Sequence, residues 1–124
     1  MMADSSMKFE FVDDLTGFRA PESMVVRLPG RLFRKLDLLR ALAVGLKFPA
    51  YFGYNWDALE ECLSDLPWLG DGARIVILHE HLPLRDEGQR RTYCEILRQA
   101  VANARGSLRV VFPESARRAI EGLK

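Results

Sequence analysis

The run Ala73-Arg74-Ile75-Val76-Ile77-Leu78 is apolar at every position but Arg74. Side chains alternate across a strand, so such a run needs cover on both faces. That is the pattern of a strand inside a parallel sheet. Parallel neighbours cannot be joined by a tight hairpin and need a long crossover, usually a helix. This one run therefore points the chain toward a layered α/β fold. Two further runs fit the same sheet. Met24-Val25-Val26-Arg27-Leu28 is closed by Pro29-Gly30, and Leu108-Arg109-Val110-Val111-Phe112 follows a glycine. The expected architecture is a small three-stranded parallel sheet flanked by helices, with right-handed crossovers.

The intervening segments read as helices. Leu36 to Val44 places Leu38, Leu39, Leu42 and Leu46 at helical spacing, and Pro49 is expected to stop it. Asn55 is suited to cap the next helix, because its side-chain oxygen accepts from an orphan backbone N–H. Leu59, Cys62, Leu63 and Leu66 share one face of that helix. Asp57, Glu60, Glu61 and Ser64 centre on the opposite face, with Asp65 at its margin. Leu66-Pro67 closes the helix, and Gly70-Asp71-Gly72 turns the chain into the central strand. His79 to Leu84 reads as a loop. Asp86 caps a long helix reaching about Arg105, with Gln89 as its capping-box partner. Its inward stripe is Tyr93, Ile96, Leu97, Ala100, Val101 and Ala104, and Gly106 is placed for a C-terminal stop. A short helix is expected between Pro113 and Lys124. Residues 1–21 read as a loose N-terminal extension whose order the sequence does not require. Within it Phe9 and Phe11 alternate with Glu10, as in a short edge strand. Residues 22–124 form a single domain.

At 124 residues the chain is long enough to bury a real core. No apolar run is long enough to cross a bilayer. Met1-Met2-Ala3-Asp4-Ser5-Ser6 lacks a basic start followed by an apolar stretch, so no signal peptide is expected and the cytoplasm is the expected compartment. Cys62 and Cys94 fall on helical patterns and read as free buried thiols rather than a disulfide.

Charge is unevenly placed. No lysine or arginine occurs between Lys47 and Arg74, a window that holds Asp57, Glu60, Glu61, Asp65 and Asp71. All 18 basic residues lie outside the −5 window of a +1 chain, so the remainder is near +6. Like charges one helical turn apart repel, each pair by about 0.2–0.5 kcal/mol. Asp57–Glu61 and Glu61–Asp65 are such pairs, with no base near in sequence to relieve them. A solvated charged face is the bland reading. The concentration of acid beside an aromatic run favours a surface built to meet something positive.

Phe48-Pro49-Ala50-Tyr51-Phe52-Gly53-Tyr54-Asn55-Trp56-Asp57-Ala58-Leu59-Glu60-Glu61-Cys62-Leu63 resembles the signature segment of the barstar family, small bacterial inhibitors of secreted ribonucleases. The resemblance implies a small parallel sheet with helices. It also implies an intracellular inhibitor, not an enzyme, that blocks the active site of a basic ribonuclease. Tyr51 matches an aromatic at the family's inhibitory face, Gly53 the glycine that turns the loop into the helix, Asn55 the helix-start asparagine and Asp57 an interface aspartate. Glu61 stands where the family has its most important acid, usually the shorter aspartate. Glu60 stands where a tryptophan is frequent, and Gln99 where a glutamate is expected. Tyr51 and Trp56 supply flat, rigid anchors of the kind on which interface energy concentrates. The same fold serving a different basic protein or toxin is the alternative. The unbound protein is expected to be a monomer without a cofactor.

Other chemistry is thinner. His79 and His81 would share a side of an extended segment and begin a metal site, but no clear third ligand accompanies them. A thiol nucleophile is disfavoured, since both cysteines lie on or beside apolar faces. Arg91, Arg98 and Arg105 recur at heptad spacing, but Glu95 interrupts them. A salt-bridged solvent face is expected there rather than direct contact with nucleic acid or membrane.

Overall fold

A computed structural model describes residues 9–65, 74–104 and 107–123, with the side chains of that range except Asp65. The expected turns at Leu66-Pro67 and Gly70-Asp71-Gly72, the helix stop at Arg105-Gly106 and residues 1–8 lie outside the described residues. The elements run β1 (Phe9–Val12), β2 (Met24–Leu28), α1 (Lys35–Gly45), α2 (Trp56–Asp65), β3 (Ile75–His79), α3 (Glu87–Ala104) and β4 (Leu108–Pro113). A 3₁₀ turn (Glu114–Ala116) and α4 (Arg117–Glu121) follow.

The sheet is parallel throughout, in the order β1-β4-β3-β2. It has four strands, not three. The added strand is the short edge strand at Phe9 and Phe11, inside the segment set apart as an extension. It is held by side chains distant in sequence. Phe9 and Phe11 meet the Phe112 ring at 5.4 and 6.0 Å. Glu10 receives both arms of the Arg109 guanidinium, each at 2.7 Å.

Strand alternation divides the core. On one face Phe9, Val26, Leu28, Ile77, Val110 and Phe112 join the buried leucines of α1, α2 and α3. On the other, Val76, Leu78 and Val111 are fully buried, and no helix among the described residues packs on them. Their cover is the β1–β2 connection, which lays Leu15, Phe18 and Ala20 across Val25 and the central strands. Arg27 bonds to the Leu15 carbonyl, and the Arg109 guanidinium lies 5.4 Å from the Phe18 ring. The central strand is thus covered on both faces, as its composition requires.

α1 packs as its pattern dictates, with Leu38, Leu39, Leu42 and Leu46 all inaccessible to solvent. It ends earlier than Pro49 for a local reason. Lys47 is left-handed at φ 57, with Lys47 N–H bonded to the Val44 carbonyl and Phe48 N–H to that of Ala43. That is the Schellman arrangement, and it satisfies the last carbonyls before proline can act. Gly45 lets the helix approach β2, since a Cβ there would collide with Val26 Cγ1.

His79, expected in a loop, is the last residue of β3 and is 1% exposed. Its Nδ1 donates to the Val111 carbonyl at 3.0 Å, and its Nε2 accepts from the Tyr93 hydroxyl at 2.7 Å. The carbonyl can only accept, which fixes the neutral tautomer. Burial pushes the imidazole pKa from 6.5 to about 4, opposed by the Val111 hydrogen bond. His81 is exposed. Both nitrogens of His79 being occupied, the two histidines do not form a metal site. Among the described residues no group of three or more His, Cys, Asp or Glu is placed to hold a metal ion.

Candidate binding face on α2 and its preceding loop

The Schellman turn at Lys47 sends the chain into an aromatic ladder. Phe48 and Phe52 stand 4.8 Å apart, and Phe52 and Tyr54 4.9 Å. Phe52 is core, whereas Tyr51 points away from it and is 85% exposed. The left-handed residue that turns this loop is Tyr54, at φ 53, rather than Gly53. Non-glycine residues in that region carry strain, which clusters at binding sites. The sequence reading missed Tyr54, and the only available signal was its place between two residues of the motif.

Asn55 then starts α2 as expected. Its Oδ1 accepts from Ala58 N–H at 2.8 Å, three residues on. Replacing Asn55 with alanine removes that cap, and a loss of about 1 kcal/mol in stability is expected from chemical denaturation. Because the cap also fixes how the loop enters the helix, the displacement of Tyr51 relative to Asp57 should appear in amide shifts.

Trp56 is half-buried. Its ring lies 6.1 Å from that of Tyr93, with the Lys35 ammonium 5.5 Å above it. It packs between α2 and α3 with a cation seated on it.

Leu59, Cys62 and Leu63 face the core, and Asp57, Glu60, Glu61 and Ser64 are exposed. The Cys62 thiol is pushed up by burial and by Glu61, and burial raises Cys94 to about 11, so neither is an activated nucleophile. The ion pairs among the described residues are Arg34–Asp37, Glu10–Arg109, and Arg117 with Glu114 and Glu121. None reaches Asp57, Glu60 or Glu61. The acids are neither turned inward nor neutralised by described parts of the chain. Asp65 is the last residue of α2; its side chain lies outside the description.

α3 supplies the opposite wall of a groove. Asp57, Glu60, Glu61 and Ser64 line one side, Gln99 and Asn103 the other, with Ile96 and Ala100 between them in a volume of about 470 Å³. Gln99 Nε2 donates to Asn103 Oδ1 at 3.4 Å. The structure therefore brings Gln99, 38 residues beyond Glu61 in sequence, onto the acidic face. Asn103 was overlooked. It sits one turn beyond Gln99 on the same side of α3, which was the signal available.

Residues 24–113 match the family model described as Barstar (barnase inhibitor). The chain belongs to the barstar family. The match takes in β2 through β4, and so contains every element that builds the groove. β1 and the connection covering the second sheet face lie before it. Among curated proteins the comparison found no match. Within this barstar-family fold, no helix among the described residues is long and apolar enough to cross a membrane.

Proposed function

We propose that this barstar-family protein binds and blocks the active site of a basic ribonuclease through α2, the Tyr51–Asn55 loop and the groove edge of α3. The reading rests on one observation: Asp57, Glu60 and Glu61 stand exposed together with no ion-pair partner among the described residues. A ribonuclease holds RNA phosphates with lysine, arginine and histidine. Carboxylates on a rigid helix occupy the same groups, and a carboxylate accepts both arms of an arginine. The groove suits that side chain. Ile96 and Ala100 offer a floor for its methylenes, and the acids and the amides of Gln99 and Asn103 stand at the rim. Tyr51, 85% exposed in the loop before α2, adds the flat anchor. The protein acts in the cytoplasm, as a monomer before it binds, and performs no chemistry itself.

A second reading is favoured by three positions. Glu60, Glu61 and Gln99 depart from the family pattern, so the face lacks an aromatic contact and one acid. The same surface would then serve a basic protein other than a ribonuclease.

The test titrates the purified protein into barnase, the enzyme in the family's description, and into basic ribonucleases captured from the host. Stoichiometric loss of RNase activity is expected for at least one, with an association rate that falls as salt screens the acids. A captured basic protein without RNase activity would support the second reading. Every recovered ribonuclease staying fully active in excess protein would sink the first.

A further inference from the structure

The carboxyl ends of β2 and β3 open onto a second, oppositely charged feature. Two loops border it, 29–34 leading into α1 and 80–86 leading into α3. They are knit by backbone bonds: Glu80 N–H to the Leu28 carbonyl at 3.0 Å, Leu84 to Leu32 at 2.8 Å and Arg85 to Phe33 at 3.1 Å. The Arg90 guanidinium holds the Pro83 and Leu84 carbonyls from behind. The result is a depression of about 570 Å³ lined by Arg31, Arg34, Lys35 and Arg85.

Two acids also line it, and both are engaged. Asp37 pairs with Arg34 at 3.2 Å, and Asp86 accepts from Gln89 N–H at 2.8 Å as the cap of α3. Among the described residues Arg31, Lys35 and Arg85 have no ion-pair partner. The Arg85 guanidinium carbon lies over the Phe33 ring, 4.3 Å from its centroid. Arg85 is exposed. Guanidinium forks match phosphate oxygens, and the plane of a guanidinium is a stacking surface for a nucleobase.

We propose that this depression binds a phosphate group, carried by a nucleotide or free as inorganic phosphate. The neighbouring charge limits the ligand to a small one. Lys35 rests on Trp56, and the acids of α2 begin at the next residue. A polyanion running in that direction meets Asp57, Glu60 and Glu61. A phosphate in the depression also cancels the positive field beside the acidic face, making that side more uniformly acidic toward a basic partner. The site does not depend on the ribonuclease reading.

An amide NMR titration of the full chain at low salt tests it, with inorganic phosphate, AMP, a short single-stranded RNA and chloride at matched ionic strength. Saturable shifts confined to residues 31–35 and 84–86 are expected with phosphate and AMP. Equal affinities assign the site to phosphate alone, and tighter AMP assigns it to a nucleotide. Arg34→Gln with Arg85→Gln should weaken binding by about tenfold or more, the size of a lost charge-assisted hydrogen bond, whereas Arg118→Gln on α4 should not. Arg34→Gln alone repeats the test without disturbing Phe33. Shifts reproduced by chloride, no saturation, or undiminished binding in both variants would overturn the proposal. RNA binding tighter than AMP would overturn its restriction to small anions.

Discussion

On the proposed reading, Glu61→Lys is expected to abolish inhibition of a basic ribonuclease while leaving the protein slightly more stable. The two effects have separate causes. Asp57 and Glu61 are one turn apart on an exposed helix face, and neither has an ion-pair partner among the described residues. Lysine at 61 turns a repulsive i,i+4 pair into an attractive one in the favourable order, acid before base. It also puts a cation in the last turns of α2, where the helix dipole favours it. Together these contribute about 0.5–1 kcal/mol of stability. In a complex the same change buries a cation against the partner's cations. Removing one member of a buried pair costs about 3 kcal/mol or more, a rise in Kd beyond a hundredfold, and reversal costs further. Denaturation midpoints and inhibition titrations of one preparation measure both. A variant that inhibits as well as the parent would remove Glu61 from the interface. A variant that loses inhibition and stability together would make its role structural.

Acidification should unfold the protein through His79 before most carboxylates titrate. The folded imidazole has a pKa of about 4 because it is buried in its neutral form between Tyr93 and Val111, against 6.5 when free. Between those values the unfolded chain takes up a proton that the folded chain refuses. The contribution is therefore fully present above pH 6.5, falls as pH drops toward about 4, and levels off below that. The total is on the order of 3 kcal/mol, a large fraction of a small domain's stability. His79→Phe keeps a ring against Phe112, which now stacks on the imidazole at 4.1 Å. It leaves the Tyr93 hydroxyl and the Val111 carbonyl without that partner, at about 1–3 kcal/mol. Near neutrality the variant should be weaker than the parent. Its urea midpoint should then stay nearly flat between about pH 6.5 and 5, where the parent's declines. Parallel pH curves for the two proteins would show that His79 does not titrate on unfolding.

The acidic face was legible because its signals are local. Helical periodicity put Asp57, Glu60, Glu61 and Ser64 opposite Leu59, Cys62 and Leu63, and a capping side chain marked where the helix begins. Tyr51, expected as a surface anchor, is exposed. The half-burial of Trp56 was not legible, because how far an aromatic at a helix start faces outward depends on what another helix places beside it. Here that is Tyr93, 37 residues later. His79 misled for the same reason. Its partners are a hydroxyl on α3 and a carbonyl on β4, and neither is close in sequence.

By itself the sequence determined the parallel α/β class, the placement of α1, α2 and α3, and a helix with carboxylates on one side and apolar residues on the other. Propensity, capping and periodicity act over a few residues, and a single chain displays them directly. Only the tertiary structure decided that Phe9–Val12 closes the sheet edge and that residues 13–23 stand in for a helical layer. It alone brought Gln99 and Asn103 across from Glu61, and four cationic side chains into one depression beside Trp56. Those outcomes depend on side chains meeting across tens of residues, and which surfaces meet is set by burying both faces of one central strand.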